Sequence, residues 1–374
     1  MTHAVRTLIA LTLALLLSAT VSLAQQPAGT SVRPPDNAVT NATPAAPAGG
    51  VVNEDAQVWR QVRSGVEGHV KIPDTKAGVM IQASGEAWRQ FRTGPLPRNG
   101  VYGMAATLAL LAAFFLLRGR IKLESGWAGR TVQRFGRLDR LAHWLMAISF
   151  LVLGLTGLNV LYGRSVLLPV MGPEAFSAMS VVAKLTHNTV AFAFMAGLLL
   201  SFVLWIKDNI PMPVDVLWLL RGGGMFRKHS HPAAYKFNAG QKILFWMIMA
   251  SGLSISLSGF ELMFPFQFSL FGKTFGALAG HLGSIGVVVP DQVSAVQEMQ
   301  FASAWHAIMA LVLICVIFAH IYIGTLGMEG AFSAMGSGQV DENWAIEHHS
   351  LWAKKVIKRR DAAEHTTPKM QAAE

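Results

Sequence analysis

Long apolar runs recur along the chain at about 99–117, 141–161, 185–206, 243–264 and 301–326, separated by segments rich in polar residues, glycine and proline. Each run holds about 20 residues, the length that crosses a bilayer core of roughly 30 Å as one helix. An earlier and shorter run differs in kind. Met1 to Ala24 combines a basic start (His3, Arg6), an apolar stretch from Leu8 to Leu17 and a small-residue exit at Ser22-Leu23-Ala24. That pattern predicts a signal peptide cleaved after Ala24. Residues 25 to about 50 are rich in Pro, Ala, Gly, Thr and Asn without apolar periodicity, and predict an exported, disordered linker. Beyond it, Val58-Trp-Arg-Gln-Val-Arg-Ser-Gly65 is echoed by Ala87-Trp-Arg-Gln-Phe-Arg-Thr-Gly94. Two copies are too few for a solenoid and predict a pair of short helices. They serve either as a docking patch, since Trp and Arg are favoured at interface hot spots, or as amphipathic helices lying on the bilayer.

Composition agrees with a polytopic membrane protein. The 374 residues are 52% hydrophobic and 14% charged, with a mean hydropathy of +0.41. The formal charge of +10 matters through its distribution rather than as an attraction for nucleic acid. Lys and Arg number seven, six and six in 118–140, 207–242 and 327–374, against two and one in 161–184 and 264–300. The excess of positive residues marks the cytoplasmic side, so the N-terminal module is expected to be periplasmic and the C-terminus cytoplasmic.

Candidate chemistry lies inside the apolar runs. The last of them, 301–326, has no Asp, Glu, Lys or Arg but carries His306 and His320. Fourteen residues of helix put these two imidazoles about 21 Å apart and within about 40° of the same face. Ionisable groups at membrane depth mark proton relays, ion paths or cofactor sites. His187 starts its span at the level of His306, and His143 starts its span at the level of His320. The four sort into an outer pair and an inner pair, each drawn from two helices, as two stacked bis-histidine hemes require. Gly154 and Gly157 return to one face at the depth of the outer pair, leaving room for a macrocycle. His69, His229, His231, His281, His348 and His349 fall outside the pattern and are expected at solvated surfaces. Cys315 is the only cysteine, which excludes a disulfide framework, iron-sulfur ligation in this chain and a C-x-x-C-H site for covalent heme. There is no glycine-rich nucleotide-binding motif.

Arg140-Leu-Ala-His143-Trp144, Leu185-Thr-His187, Asp208-Asn-Ile-Pro211, Tyr235-Lys-Phe-Asn-Ala-Gly-Gln-Lys242, Trp305-His306-Ala307, Ala319-His320-Ile-Tyr322 and Glu347-His-His349 carry a resemblance over about 135–360. The chain resembles the gamma subunit of respiratory formate dehydrogenase, a di-heme membrane cytochrome b related to the cytochrome b subunits of nickel-iron hydrogenases. The Asn-Ala-Gly-Gln-Lys segment points to the formate branch. The signal peptide, exported module and extra first span depart from the short form of that family.

The resemblance implies a molybdenum or tungsten alpha subunit that oxidises formate and an iron-sulfur beta subunit. The beta subunit would feed two b hemes and then quinone, so no catalytic residue is expected in this chain. His143, His187, His306 and His320 would be the heme b axial ligands. Asn238 and Gln241 would bind quinone through amide donors, with Gly240 permitting close approach; the alternative is that Asn238 only caps a helix. The expected fold is an all-α integral membrane protein in the bacterial inner membrane, in contact with lipid. It comprises a signal peptide (1–24), a periplasmic linker and Trp/Arg module (25–98), an extra transmembrane helix (99–117), a four-helix heme-binding bundle (118–326) and a cytoplasmic tail (327–374). Two other readings stand beside it: a cytochrome b serving a nickel-iron hydrogenase or another periplasmic reductase, and a heme-free transporter or anchor whose histidines relay protons.

Overall fold

The computed structural model describes residues 68–69, 79–81, 85–224, 230–286 and 293–371. The signal peptide, the linker, the first Trp-Arg copy with Trp59, and His229 lie outside the described residues. The chain divides into two compact units, 1–89 and 90–374. In the first, β1 (Gly68–His69) pairs antiparallel with β2 (Val79–Ile81). The second Trp-Arg copy lies in helix α1 (Gly85–Thr93), with an exposed Glu86–Arg89 ion pair at 2.7 Å.

Among the described residues, five helices are long and apolar enough to cross a membrane: Gly85–Arg118, Arg137–Val166, Pro173–Trp205, Ala239–Met263 and Ala295–Gly327. The first contains α1 and α2 (Pro95–Arg118); the next three are α3, α5 and α7; the last is α9 (Ala295–Tyr322) followed by a π turn (Ile323–Gly327). A four-residue turn of helix, α4 (Leu168–Met171), joins α3 to α5. The helices outrun the apolar stretches because each continues to a start signal. Asp139 accepts the N–H of Gly136 ahead of α3, Pro173 opens α5, and Ser294 with Gln297 closes a capping box on α9.

Helices α3, α5, α7 and α9 form a closed ring, each packing on the next and α9 returning to α3, while α2 packs on α9 from outside. Small residues set the spacing. A side chain at Gly197 of α5 would come within 2.7 Å of the Met146 backbone of α3, so a larger residue would force the two helices apart. No more than 28% of any spanning window is buried, and Leu110, Leu116 and Val170 are over two-thirds exposed. An apolar surface of that extent suits lipid rather than water.

At the end where α3 begins, a polar platform closes the bundle. Strand β3 (Thr131–Gln133) pairs antiparallel with β4 (Gln339–Asp341), and Ile121 bridges to Met328, so segments flanking the bundle are stitched together. Around them lie α6 (Pro213–Leu220), α10 (Ser333–Gly336), α11 (Glu342–His348) and α12 (Ser350–Gln371). The segment 207–242, which joins two of the apolar runs, contains α6. Pro213 opens that helix and Asp215 accepts the N–H of Met212 at 2.7 Å. At the opposite end, α8 (Leu270–Ser284) is held by two buried carboxylates: Glu261 accepts from the N–H of Leu270, and Glu298 from Phe271 and Gly272. Three of the unpaired N–H groups at that helix start are thereby satisfied.

Candidate functional site

His143 on α3 and His320 on α9 face each other with ring centroids 6.1 Å apart and planes at 59°. His187 on α5 and His306 on α9 do the same at 6.2 Å and 64°. The structure therefore brings together the two pairs that the sequence spacing predicts, and leaves the pairs on separate levels of α9. Contacts near each ring fix its helix. Trp144 donates to Met335 O at 2.9 Å and Arg140 to Gly336 O at 2.6 Å, tying the start of α3 to the platform. Trp305 donates to Ser254 Oγ at 2.7 Å, joining α9 to α7 beside His306.

Hydroxyl groups contact the Nδ1 atoms of His187 and His306. Thr156 Oγ1 lies 2.8 Å from His187 Nδ1, and its own proton goes to the carbonyls of Val152 or Leu153. Ser258 Oγ lies 3.1 Å from His306 Nδ1 and donates to Ile255 O. With its proton on a carbonyl, each hydroxyl oxygen accepts an Nδ1–H, and this assignment leaves Nε2 as the unprotonated nitrogen of both rings. Small residues line these rings. A side chain at Gly157 would meet His187 Cε1 at 3.5 Å, and one at Gly259 would meet His306 Cε1 at 3.0 Å. Gly259 carries no signal in the sequence beyond its place on the apolar run. Gly154 faces Ile314 instead of an imidazole. In the other pair, His143 Nδ1 is buried without a hydrogen-bond partner among the described residues.

These distances suit a metal held between two imidazoles. Metal–nitrogen bonds of about 2.0–2.1 Å, with each nitrogen roughly 1.1 Å from its own ring centre, put the centroids about 6.3 Å apart. Neutral imidazoles with a free nitrogen are the donors heme iron takes. Among the described residues no group of three or more His, Cys, Asp or Glu side chains could hold a metal ion, so the histidine pairs stand by themselves.

Asn238 and Gln241 form a reciprocal capping box at the start of α7: Asn238 Oδ1 accepts the N–H of Gln241 at 3.0 Å, and Gln241 Oε1 accepts that of Asn238 at 3.1 Å. The cap uses both amide oxygens and neither amide nitrogen. Beside Gly240 the indole of Trp218 takes up the space a side chain would need, 3.1 Å from the position of a Cβ. That glycine accommodates α6 rather than opening a path to the backbone. The neighbouring Lys242 is buried and pairs with Asp215 at 2.8 Å.

The C-terminal histidines depart from the surface placement expected for them. His349 is 1% exposed, its Nδ1 lies 2.7 Å from Tyr235 O, and its ring packs on Trp344. His348 packs on Trp344 and faces His231, which pairs with Glu124 at 2.9 Å. Burial holds His349 well below the usual histidine range and His348 at about 4, with nearby Arg134 acting in the same direction on both. A platform folded from distant segments buries them, and only their place in a family-like tail hints at it. His281 is exposed as expected.

Residues 134–338 match the prokaryotic cytochrome b561 family. The nitrate-inducible formate dehydrogenase cytochrome b556 (Fdn) subunit of Escherichia coli K12 is 26% identical over 223 residues, 59% of this chain and 89% of the relative. The formate dehydrogenase cytochrome b556 (Fdo) subunit of the same organism is 26% identical over 229 residues, 61% of this chain and 94% of the relative. The formate dehydrogenase cytochrome b556 subunit of Haemophilus influenzae is 24% identical over 220 residues, covering 58% and 80%. Because the matched region takes in more than half of the chain and both histidine pairs, the chain belongs to the prokaryotic cytochrome b561 family, with heme b as the cofactor that membership implies.

Proposed function

We propose that this chain is the membrane cytochrome b subunit of a respiratory formate dehydrogenase complex, which it anchors and connects to membrane quinone. The observation that carries the reading is the pairing of four histidines on three helices, His143 with His320 and His187 with His306, at separations that suit bis-imidazole ligation. Two b hemes, one for each pair, would supply reversible one-electron chemistry at two depths of the membrane. The protein's part is to hold neutral imidazoles in fixed orientation, through Thr156 and Ser258 at one level, and to keep water from the apolar interior. The names of the relatives favour formate over hydrogen as the electron source. An iron-sulfur beta subunit and a molybdenum or tungsten alpha subunit are the partners this reading requires.

The distribution of Lys and Arg supports an orientation with 25–98 periplasmic after removal of 1–24, and with the platform and tail cytoplasmic. Helix α2 is then the extra span beside a four-helix heme-binding domain at 118–326. Quinone takes up protons with electrons, so its site belongs where the inner pair meets an aqueous face. Asn238 and Gln241, whose amide nitrogens the cap leaves unused, are the donors for its carbonyl oxygens.

The test is a pyridine hemochrome assay with redox titration of the purified subunit and of its four histidine variants. Two hemes per chain are expected, with His187→Ala and His306→Ala losing one component and His143→Ala and His320→Ala the other. One heme or none per chain, or loss of the same component from His306→Ala and His320→Ala, overturns the reading.

A further inference from the structure

The amide of Gln241 has a fixed polarity. Its Oε1 accepts the backbone N–H of Asn238 at 3.1 Å and a guanidinium N–H of Arg134 at 3.1 Å. Turning the amide over would set its NH2 group against two donors, so one orientation alone satisfies both neighbours. Both lone pairs of the oxygen are then used, and N–H donors are all the side chain has left to offer. Asn238 is oriented by a single such bond, its Oδ1 accepting from the Gln241 N–H.

Arg134 was not singled out by sequence spacing. Its side chain is 5% exposed, and the same terminal nitrogen that reaches Gln241 also donates to Lys236 O at 2.7 Å, so it spans both ends of the loop 236–241. The guanidinium lies 5.1 Å from the ring centre of Trp344 and 5.2 Å from that of Phe135. Among the described residues no carboxylate is within ion-pair distance of it. A cation kept in such surroundings is costly and calls for a role. Burial pulls Arg134 down to about 9, which leaves it protonated at neutral pH.

We infer that Arg134 is a positioning residue for the quinone site, locking the Gln241 amide so that Gln241 presents only N–H donors beside Asn238 and so selects the carbonyl oxygens of an oxidised quinone. The inference rests on the quinone reading of this loop. Two features separate it from plain helix capping: the second donor on Oε1 comes from a distant segment, and it is charged.

The experiment measures binding of ubiquinone-1 and of menadione to the purified, oxidised complex by isothermal titration calorimetry, with hemochrome content as the check on assembly. Gln241→Glu is the informative variant. A carboxylate still accepts from Asn238 and pairs with Arg134, so the cap survives, but it has no N–H to give. Its Kd is expected to rise by about tenfold or more with both hemes retained. Arg134→Met should show a comparable loss, and Arg134→Lys, which keeps the charge and a donor, a smaller one. Wild-type affinity in Gln241→Glu alongside a loss in Gln241→Ala means the site is there without using these donors, and overturns the inference. Wild-type affinity in both overturns the quinone reading itself. A loss in the Gln241 variants with wild-type affinity in Arg134→Met removes Arg134 from the role; if that variant does not assemble, wild-type affinity in Arg134→Lys does the same.

Discussion

Replacing Thr156 by valine keeps the shape of the side chain and removes the oxygen that accepts the Nδ1–H of His187 at 2.8 Å. Ser258→Ala does the same to His306, where the contact is 3.1 Å. A hydrogen bond of this kind contributes about 0.5–1.5 kcal/mol net. An imidazole whose N–H is engaged is the more basic ligand and favours the oxidised metal, so losing the bond should raise the midpoint potential. With a one-electron couple moving 59 mV for each tenfold change, the expected rise is about 20–65 mV. The backbone carbonyls of Leu153 and Ile255 also lie within reach of these rings, so each single variant should fall near the lower end and the double variant near the upper. Spectroelectrochemical titration of the purified complex measures the shift, with the component of the His187–His306 pair identified as the one absent from His187→Ala. Unchanged potentials in the double variant, or an equal shift in the component that His143→Ala removes, would refute the tautomer argument.

Asn238→Ala should leave both hemes reducible by formate in the complex but slow their reoxidation by quinone; stopped-flow traces at the wild-type rate would return Asn238 to capping alone. Deleting 50–94, which stops short of α2, while keeping the signal and all spans should weaken recovery of the partner subunits without removing heme, and unchanged recovery would leave Trp59 and Trp88 without a docking role. Glu298→Ala strips two acceptors from the start of α8 and should loosen that helix by roughly 2–4 kcal/mol, read as faster amide exchange across 270–284; unaltered protection would mean Glu261 suffices. His348 is held neutral, at about 4 against an ordinary 6.5, so the unfolded chain binds more protons over that interval. Platform stability should be complete above about pH 6.5 and fall as the pH drops towards 4, and His348→Gln should flatten the fall in a thermal melt series; an unchanged slope would count against His348 as its source.

Spacing on a single helix determined most of the candidate site. Because an α-helix has a fixed rise and turn, fourteen residues between His306 and His320 already set two levels on one face. Hydropathy likewise marked the five spans, since a bilayer demands continuous apolar length, although it missed the turns of helix that continue to Pro173 and Ser294. Contacts between distant segments were decided only by the tertiary structure. No local pattern announces that Thr156 and Ser258 meet the imidazoles of other helices, or that Glu261 and Glu298 cap α8. Nor does the tail sequence show that His349 is buried: an isolated His-His pair reads as polar surface until β4 pairs with β3 and carries Trp344 over Arg134. Burial depends on what the rest of the chain brings to a residue, and that is set by packing rather than by neighbours in sequence.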